Sequence, residues 1–424
     1  MEISLESVLK KIQWILNTNN PMLYRHTEKV AYIYMKLLQA YNYSEEEIIS
    51  LVTIAILHDI GAYKILSENE TGANLYRFDV ENPHEHSVYG YLFIRNFGPV
   101  QLQKYASVVL YHHFKYRDFD KIDKEYMKES QLLHLADRIS IIIDKKEIID
   151  FDKLENLKNT FFDPEYVNLF IKLEQEEKIS DNILNGNYYN EVYALLKRAI
   201  INNKYLDDVL NMIVSIIDLK SKYTMYHNIT VASIAREIAI LSGMDLETVK
   251  KIQKAARIHD IGKVLIPVEI LEKDGKLTKE EYEIMKQHIT KGRKILEGIC
   301  DNEKIMLATT HHEKLDGSGY PDRLTAEFIN KEKRVLIIAD IVSALLGRRS
   351  YKEEFSKDKI ISILNEEVSK NKIDKETVDV FINNYDSITE KVNRDCKLAI
   401  EKYNIHRMEY EAITKHMKKY NLID

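Results

Sequence analysis

The residues with the most chemistry to offer are histidines and aspartates that recur in a fixed order. His227 comes first, then His259-Asp260, His288, the adjacent pair His311-His312, and Asp340. Five imidazoles and two carboxylates supply nitrogen and oxygen donors that suit Fe, Mn or Zn better than Ca or Mg. One ion rarely takes seven such ligands, so two ions are the economical reading. Asp260 is the natural bridge, because one carboxylate can give an oxygen to each ion. Two ions a few ångströms apart can share a hydroxide and clamp both oxygens of an in-line displacement at phosphorus. A lone histidine such as His134 reads instead as a hydrogen-bonded core group, and His406 as surface.

The same order occurs once before. His26 and His58 are 32 residues apart, as are His227 and His259. His58-Asp59-Ile60-Gly61 repeats as His259-Asp260-Ile261-Gly262, and His86-x-x-x-Gly90 as His288-x-x-x-Gly292. His112-His113 answers His311-His312, and Leu135-Ala136-Asp137 answers Ile338-Ala339-Asp340. Phe162-Asp163-Pro164-Glu165 corresponds to Ile373-Asp374-Lys375-Glu376. Equal order with small differences in spacing is the mark of an internal duplication. The first copy therefore carries its own candidate ligand set of His26, His58, Asp59, His86, His112, His113 and Asp137. His84 is left over as an adjacent or surface group.

Helices must position these groups. Val30, Ile33, Tyr34, Leu37 and Leu38 follow His26 at core-facing helical spacing, and Val231, Ile234, Ala235, Ile238 and Leu241 follow His227 in the same way. Only 13 glycines and 6 prolines in 424 residues argue for long helices and an all-α protein of tandem helical domains. The expected division is a first domain over 1–180, a connecting turn and helix over 181–205, a second domain over 206–393, and a helical tail over 394–424 for packing or for forming a homodimer. A net charge of −6 gives no general pull toward a nucleic acid polymer or an anionic membrane. The longest apolar run, from Ile48 to Leu57, is too short to span a bilayer. Two cysteines outside any Cys-x-x-Cys pair fit a reducing cytoplasm.

His259-Asp-Ile-Gly-Lys263, Leu277-Thr-Lys-Glu-Glu281, His288 and the run His311-His-Glu-Lys-Leu-Asp-Gly317-Ser-Gly319-Tyr320-Pro321 resemble the HD-GYP family of metal-dependent phosphodiesterases. The resemblance spans residues 223–352. It implies two ions, with Fe or Mn expected, and hydrolysis of cyclic di-GMP to linear pGpG and on to GMP. By the same resemblance Asp260 is catalytic as the bridging ligand, and Lys263 contacts the scissile phosphate. Tyr320 approaches a guanine or ribose, with Gly317 and Gly319 letting the backbone turn closely, and Arg349 and Lys352 bind phosphate and base. Tyr223 stands where members with a third metal carry an acid, which favours two. Ser343-Ala344-Leu345-Leu346 and Arg349-Ser350-Tyr351 depart from the usual Asp-Ala-Leu-Thr and Arg-Pro-Tyr. These departures spare the ligands but bear on substrate fit. Hydrolysis of another nucleotide ester, such as cyclic GMP-AMP or a nucleoside monophosphate, is one alternative, and a non-catalytic cyclic-dinucleotide receptor is another.

The first copy lacks two features of the second. Ala62 replaces the lysine, and Phe114-Lys115-Tyr116-Arg117-Asp118-Phe119 replaces the Gly-Tyr-Pro loop. The expectation is a site for two further ions without cyclic di-GMP hydrolysis, serving as a regulatory domain. It could otherwise cleave a different phosphate ester with Lys64, Lys115 or Arg117, or act as a structural partner.

Overall fold

The computed structural model describes residues 2–19, 25–62, 83–121, 125–145, 149–220, 222–273, 275–347, 355–419 and 422. The fold is all-α: helices dominate, and the one small sheet among the described residues pairs Ile3–Ser4 antiparallel with Ile200–Ile201. Two compact units form, one from residues 2–209 with 406–424 and the other from 210–405.

In the first unit the helix His26–Ala40 packs against Glu45–Leu57 and Met127–Asp144. Val30, Ile33, Tyr34, Leu37 and Leu38 are all buried, as their spacing predicts. Ser44 and Glu47 form a reciprocal capping box that starts Glu45–Leu57 and satisfies two otherwise unpaired amides. That helix ends at the His58-Asp59 dyad. The helix Pro83–Phe97 carries His86 and packs on Ala106–Tyr111, which leads into His112-His113.

The second unit repeats these pairings. Lys222–Leu241 packs on Leu246–Ile258 and Lys331–Leu346, and Lys279–Leu296 packs on the 3-10 turn Ile261–Leu265. Thr278 and Glu281 make the capping box of the helix that carries His288, which is the local reason for the Leu277–Glu281 pattern. Asp163 and Asp374 likewise cap equivalent helices, Pro164–Glu177 and Lys375–Asn383. Of the stripe after His227, Val231, Ile234, Ala235 and Ile238 are buried, but Leu241 is exposed because the helix ends on it.

The tail packs within the chain. The helix Tyr385–Lys419 contributes its residues up to Ile405 to one unit and those from His406 to the other. In its earlier part Asp395 accepts from Ser233 at 2.8 Å and pairs with Arg236 at 3.1 Å. Met417 and Leu422 join Val88, Leu92, Leu110, Phe114 and Phe119 in one apolar cluster of the first unit. Tyr410 stacks on Tyr89 with centroids 4.2 Å apart. His406 is not a free surface group: Asn96 donates to its Nδ1 at 2.8 Å, and its ring packs on Phe97. His134, by contrast, is the buried core group expected, bonded to the Phe114 carbonyl at 3.1 Å.

Candidate metal centre

Four of the five candidate ligand histidines of the second copy are oriented from behind. Nδ1 of His259, His288 and His311 donates to the carbonyl three residues earlier in its own helical turn, on Ala256, Met285 and Ala308, at 2.7, 2.6 and 3.0 Å. His227 Nδ1 is held at 3.0 Å by the Ser343 hydroxyl. With Nδ1 engaged, the Nε2 lone pairs turn inward, the arrangement typical of metal-binding imidazoles.

Those inward atoms crowd one another. His227 Nε2 and His259 Nε2 are 3.2 Å apart, and Asp260 Oδ2 lies 3.4 Å from the first and 3.2 Å from the second. Asp340 Oδ1 is 3.2 Å from His227 Nε2. The other oxygen, Asp260 Oδ1, faces His288 Nε2 at 3.4 Å and His311 Nε2 at 3.8 Å, and those two nitrogens are 3.4 Å apart. Neighbouring ligands about 2.1 Å from one ion are separated by about 3.0–3.4 Å, so these edges fit an ion in each cluster. Asp260 Oδ1 is buried and accepts no hydrogen bond among the described residues, as suits an oxygen reserved for a cation. His312 sits further out, its Nδ1 3.8 Å from Asp340 Oδ2. Lys263 reaches Asp260 Oδ2 at 2.5 Å.

The loop after His312 is built around Glu313. Its fully buried carboxylate accepts the amides of Asp322 at 2.7 Å and Leu324 at 2.9 Å. Gly317 takes φ +77°, and a β-carbon on Gly319 would come within 2.4 Å of Glu313 Cα, so the turn depends on both glycines. The loop lays Tyr320 on His312, with ring centroids 4.8 Å apart and planes 28° off parallel. Arg349, Lys352 and Lys64 lie outside the described residues, as does the side chain of Tyr223.

The first copy assembles a parallel pair of clusters: His26, His58 and Asp59 in one, His86, His112 and His113 in the other. His58 Nδ1 and His112 Nδ1 again bond to the carbonyls three residues back, at 2.7 and 2.6 Å, while Ser140 holds His26 Nδ1 at 3.2 Å. Asp137 Oδ1 is 3.1 Å from His26 Nε2. One contact has no counterpart in the second copy: Arg138 donates to His113 Nδ1 at 2.8 Å. The neutral His113 ring then carries its proton on Nε2, which points at His86 Nε2 at 2.9 Å. Lys115 holds its ammonium over the Phe161 ring at 4.8 Å, and His84 packs edge-on against Phe114.

Comparison with known proteins agrees with the duplication. HD-domain family profiles match residues 23–142 and residues 211–377. The chain belongs to the HD family, and its second copy is of the HD-GYP type. Over 381 residues it is 27% identical to the 3'3'-cGAMP-specific phosphodiesterase 1 of Vibrio cholerae, covering 85% of this chain and 86% of that one. A cyclic di-GMP phosphodiesterase of Thermotoga maritima is 41% identical over 155 residues, 34% of this chain and 42% of that protein. The crystal structure of a cyclic GMP-AMP-specific phosphodiesterase of Vibrio cholerae superposes with TM-score 0.54 at 18% identity, covering 93% of this chain and 98% of that one, which speaks for the fold.

The electrostatics of the second HD domain suit a metal pocket. Burial drives His288 down to about 3 and His312 to about 4 despite the pull of nearby aspartates, and His311 well below its ordinary value. Each is therefore neutral, with a lone pair to donate, at neutral pH. Burial alone would raise Asp260, but His259 and Lys263 outweigh it and hold the carboxyl well below the usual range. Asp340 is held down against burial in the same way, chiefly by His227. In the first HD domain burial works against the charged form of His26, yet Asp137 and Asp144 raise it to about 10.

Four residues were given no positioning role by the sequence reading: Glu313, Arg138 and the serine pair Ser140 and Ser343. The serines stand three residues after Asp137 and Asp340, one helical turn on and on the same face, a spacing that could have found them. The Ser343 departure thus has a use, which is to orient His227. No helix among the described residues is long and apolar enough to cross a membrane.

Proposed function

We propose that the second HD domain is a metal-dependent phosphodiesterase that opens a cyclic dinucleotide, with cyclic di-GMP the first candidate substrate, pGpG its product and GMP a further one. The observation that carries this reading is the set of inward Nε2 lone pairs divided between the two oxygens of Asp260. Lone pairs this close repel one another unless a proton or a metal cation lies between them, and a metal ion can serve several of them at once. His227, His259, Asp260 and Asp340 would hold one ion, and Asp260, His288, His311 and His312 a second. Bound there, divalent ions such as Fe or Mn supply an activated water and neutralise charge at phosphorus.

The chain's own groups do the rest. Asp260 spans both positions and stays ionised. Lys263, beside it, presents a compact positive charge to the oxygens of the phosphorane. Ser343 and the helix carbonyls keep the imidazoles from rotating. Tyr320, stacked on His312, borders the site on the side where a base or ribose would lie, and Gly317 and Gly319 hold it there. Arg349 and Lys352 are proposed contacts for phosphate and base.

A second substrate reading, 3'3'-cyclic GMP-AMP, is favoured by the relative aligned over 85% of the chain, which is named for that activity. The first HD domain retains donors but has the buried Ala62 in the lysine position and packs Phe114 and Phe119 into the core shared with the tail. A regulatory, metal-binding role fits it best. The test is to load the purified chain with Mn or Fe, incubate it with each cyclic dinucleotide and separate the products. Linear dinucleotide from the wild type and none from Asp260→Ala supports the reading. A metal-filled protein that turns over neither substrate refutes it.

A further inference from the structure

Tyr282 and Lys286 stand one turn apart on the helix that also carries His288. Their surroundings are not those of an ordinary solvated helix face. Tyr282 is 48% exposed although it is a large aromatic beside the candidate centre. The Lys286 ammonium lies 5.4 Å from the Tyr282 ring centroid and 5.6 Å from that of Tyr320. Glu283 pairs with Lys286 at 2.6 Å, but its side chain is 65% exposed, so this bond is open to solvent and to exchange. Tyr320 in turn stacks on His312. A line of aromatic and cationic groups therefore runs outward from the metal ligands, through Tyr320, to an exposed ring with an ammonium at its edge.

A wall of this kind suits a nucleobase. An aromatic face takes any base by stacking, worth roughly tenfold or more in affinity per base. An ammonium at the rim adds a preference, since guanine offers O6 and N7 as adjacent acceptors where adenine offers N7 beside an N6 donor. We propose that Tyr282 and Lys286 form an outer base subsite. In it the nucleotide distal to the scissile phosphate stacks on Tyr282 and, when it is guanine, accepts from Lys286. The proposal rests on the phosphodiesterase reading of the second HD domain and adds to it where specificity is set.

The full-length, Mn-loaded chain would be compared with Tyr282→Ala, Tyr282→Phe and Lys286→Met. The readouts are equilibrium binding and turnover of cyclic di-GMP and cyclic di-AMP, with bis(p-nitrophenyl) phosphate as an ester that has no distal nucleotide. Tyr282→Ala should weaken cyclic di-GMP binding and raise KM about tenfold, with kcat and hydrolysis of the small ester unchanged, while Tyr282→Phe stays within about threefold of wild type. Lys286→Met should erode the preference for cyclic di-GMP over cyclic di-AMP by about tenfold. Turnover by the wild type with unaltered binding and KM in Tyr282→Ala and Lys286→Met overturns the subsite alone. Binding without turnover, still weakened by Tyr282→Ala, overturns the phosphodiesterase reading and leaves the subsite standing. A wild type that neither binds nor hydrolyses a cyclic dinucleotide overturns both.

Discussion

The backbone of Gly262 lies so close to the carbonyl of His288 that a β-carbon on Gly262 would stand 1.9 Å from that oxygen. Gly61 has the same relation to His86, at 2.1 Å. In both copies the dyad's glycine thus lets the turn after His-Asp press against the helix that carries the next histidine ligand. This contact is what brings the two oxygens of Asp260 between separate histidine clusters.

Gly262→Ala should push the helix Lys279–Leu296 away and cost on the order of 3 kcal/mol, as overpacking of a closed contact does. The ions held by the second HD domain should be lost while those of the first remain. Elemental analysis of the purified variant, set beside Gly61→Ala, checks this, and full metal retention in Gly262→Ala would count against it.

Glu313 is a positioning residue for the loop, and its effect should separate from metal binding. Glu313→Gln keeps one acceptor oxygen but turns an amide donor toward a backbone N–H, leaving a buried donor unsatisfied at roughly 1–3 kcal/mol. The loop segment from Asp322 to Leu324 should detach and Tyr320 should leave His312. The expected result is an undiminished metal content with kcat/KM for cyclic dinucleotides reduced by about a hundredfold, mostly through KM. Loss of the ions together with the activity would show that Glu313 supports the ligands instead.

A half-buried acid near the second site, Asp218, gives a pH signature. Burial raises Asp218 from the ordinary 3.8 to about 6, with Arg257 and the Asn228 amide, at 2.9 Å, opposing the rise. The folded state therefore holds this proton more tightly than the unfolded chain does. Below 3.8 both states are protonated and there is no penalty. As pH rises toward 6 the folded state must give up a proton it prefers to keep, so stability falls, and above 6 the full penalty, on the order of 3 kcal/mol, applies. Asp218→Asn removes the titration and can still accept from Asn228. In metal-free protein, denaturant unfolding should find the variant more stable than wild type at pH 7.5, with the gap shrunk to about a third by pH 4.5. A constant gap across that range would mean that Asp218 ionises normally.

The order of candidate ligands stands out in the sequence because a metal site needs particular donors on particular elements, and this chain writes the pattern twice. The all-α architecture followed from helical spacing and scarce Gly and Pro, as the burial of Val30 to Leu38 bears out. Other features depend on which surfaces meet. Nothing local in the tail says that Met417 and Leu422 enter the cluster of Phe114 and Phe119. Leu241 has core spacing but falls where its helix ends. Lys286 stands in the Met285–His288 run of the family pattern, but its relation to Tyr282 and Tyr320 appears only when loop and helix are folded together.

Arg138 gives the sharpest expected difference between the copies. Its donation to His113 Nδ1 leaves the Nε2 proton between His113 and His86, where the second copy has inward lone pairs. An ion at His86, His112 and His113 must displace that proton next to a guanidinium that cannot lose its own charge. The cluster of His26, His58 and Asp59 has no such competitor at its nitrogens. His26 needs only to give up the proton that Asp137 and Asp144 stabilise, which an ion replacing that charge allows. The wild type should therefore hold about three ions per chain after removal of loosely bound metal, two in the second HD domain and one in the first. Asp260→Ala should lower the count to about one, and Arg138→Leu should raise it to about four. Elemental analysis of the three proteins decides the matter, since a count unchanged by Arg138→Leu would show that the arginine does not gate the second position.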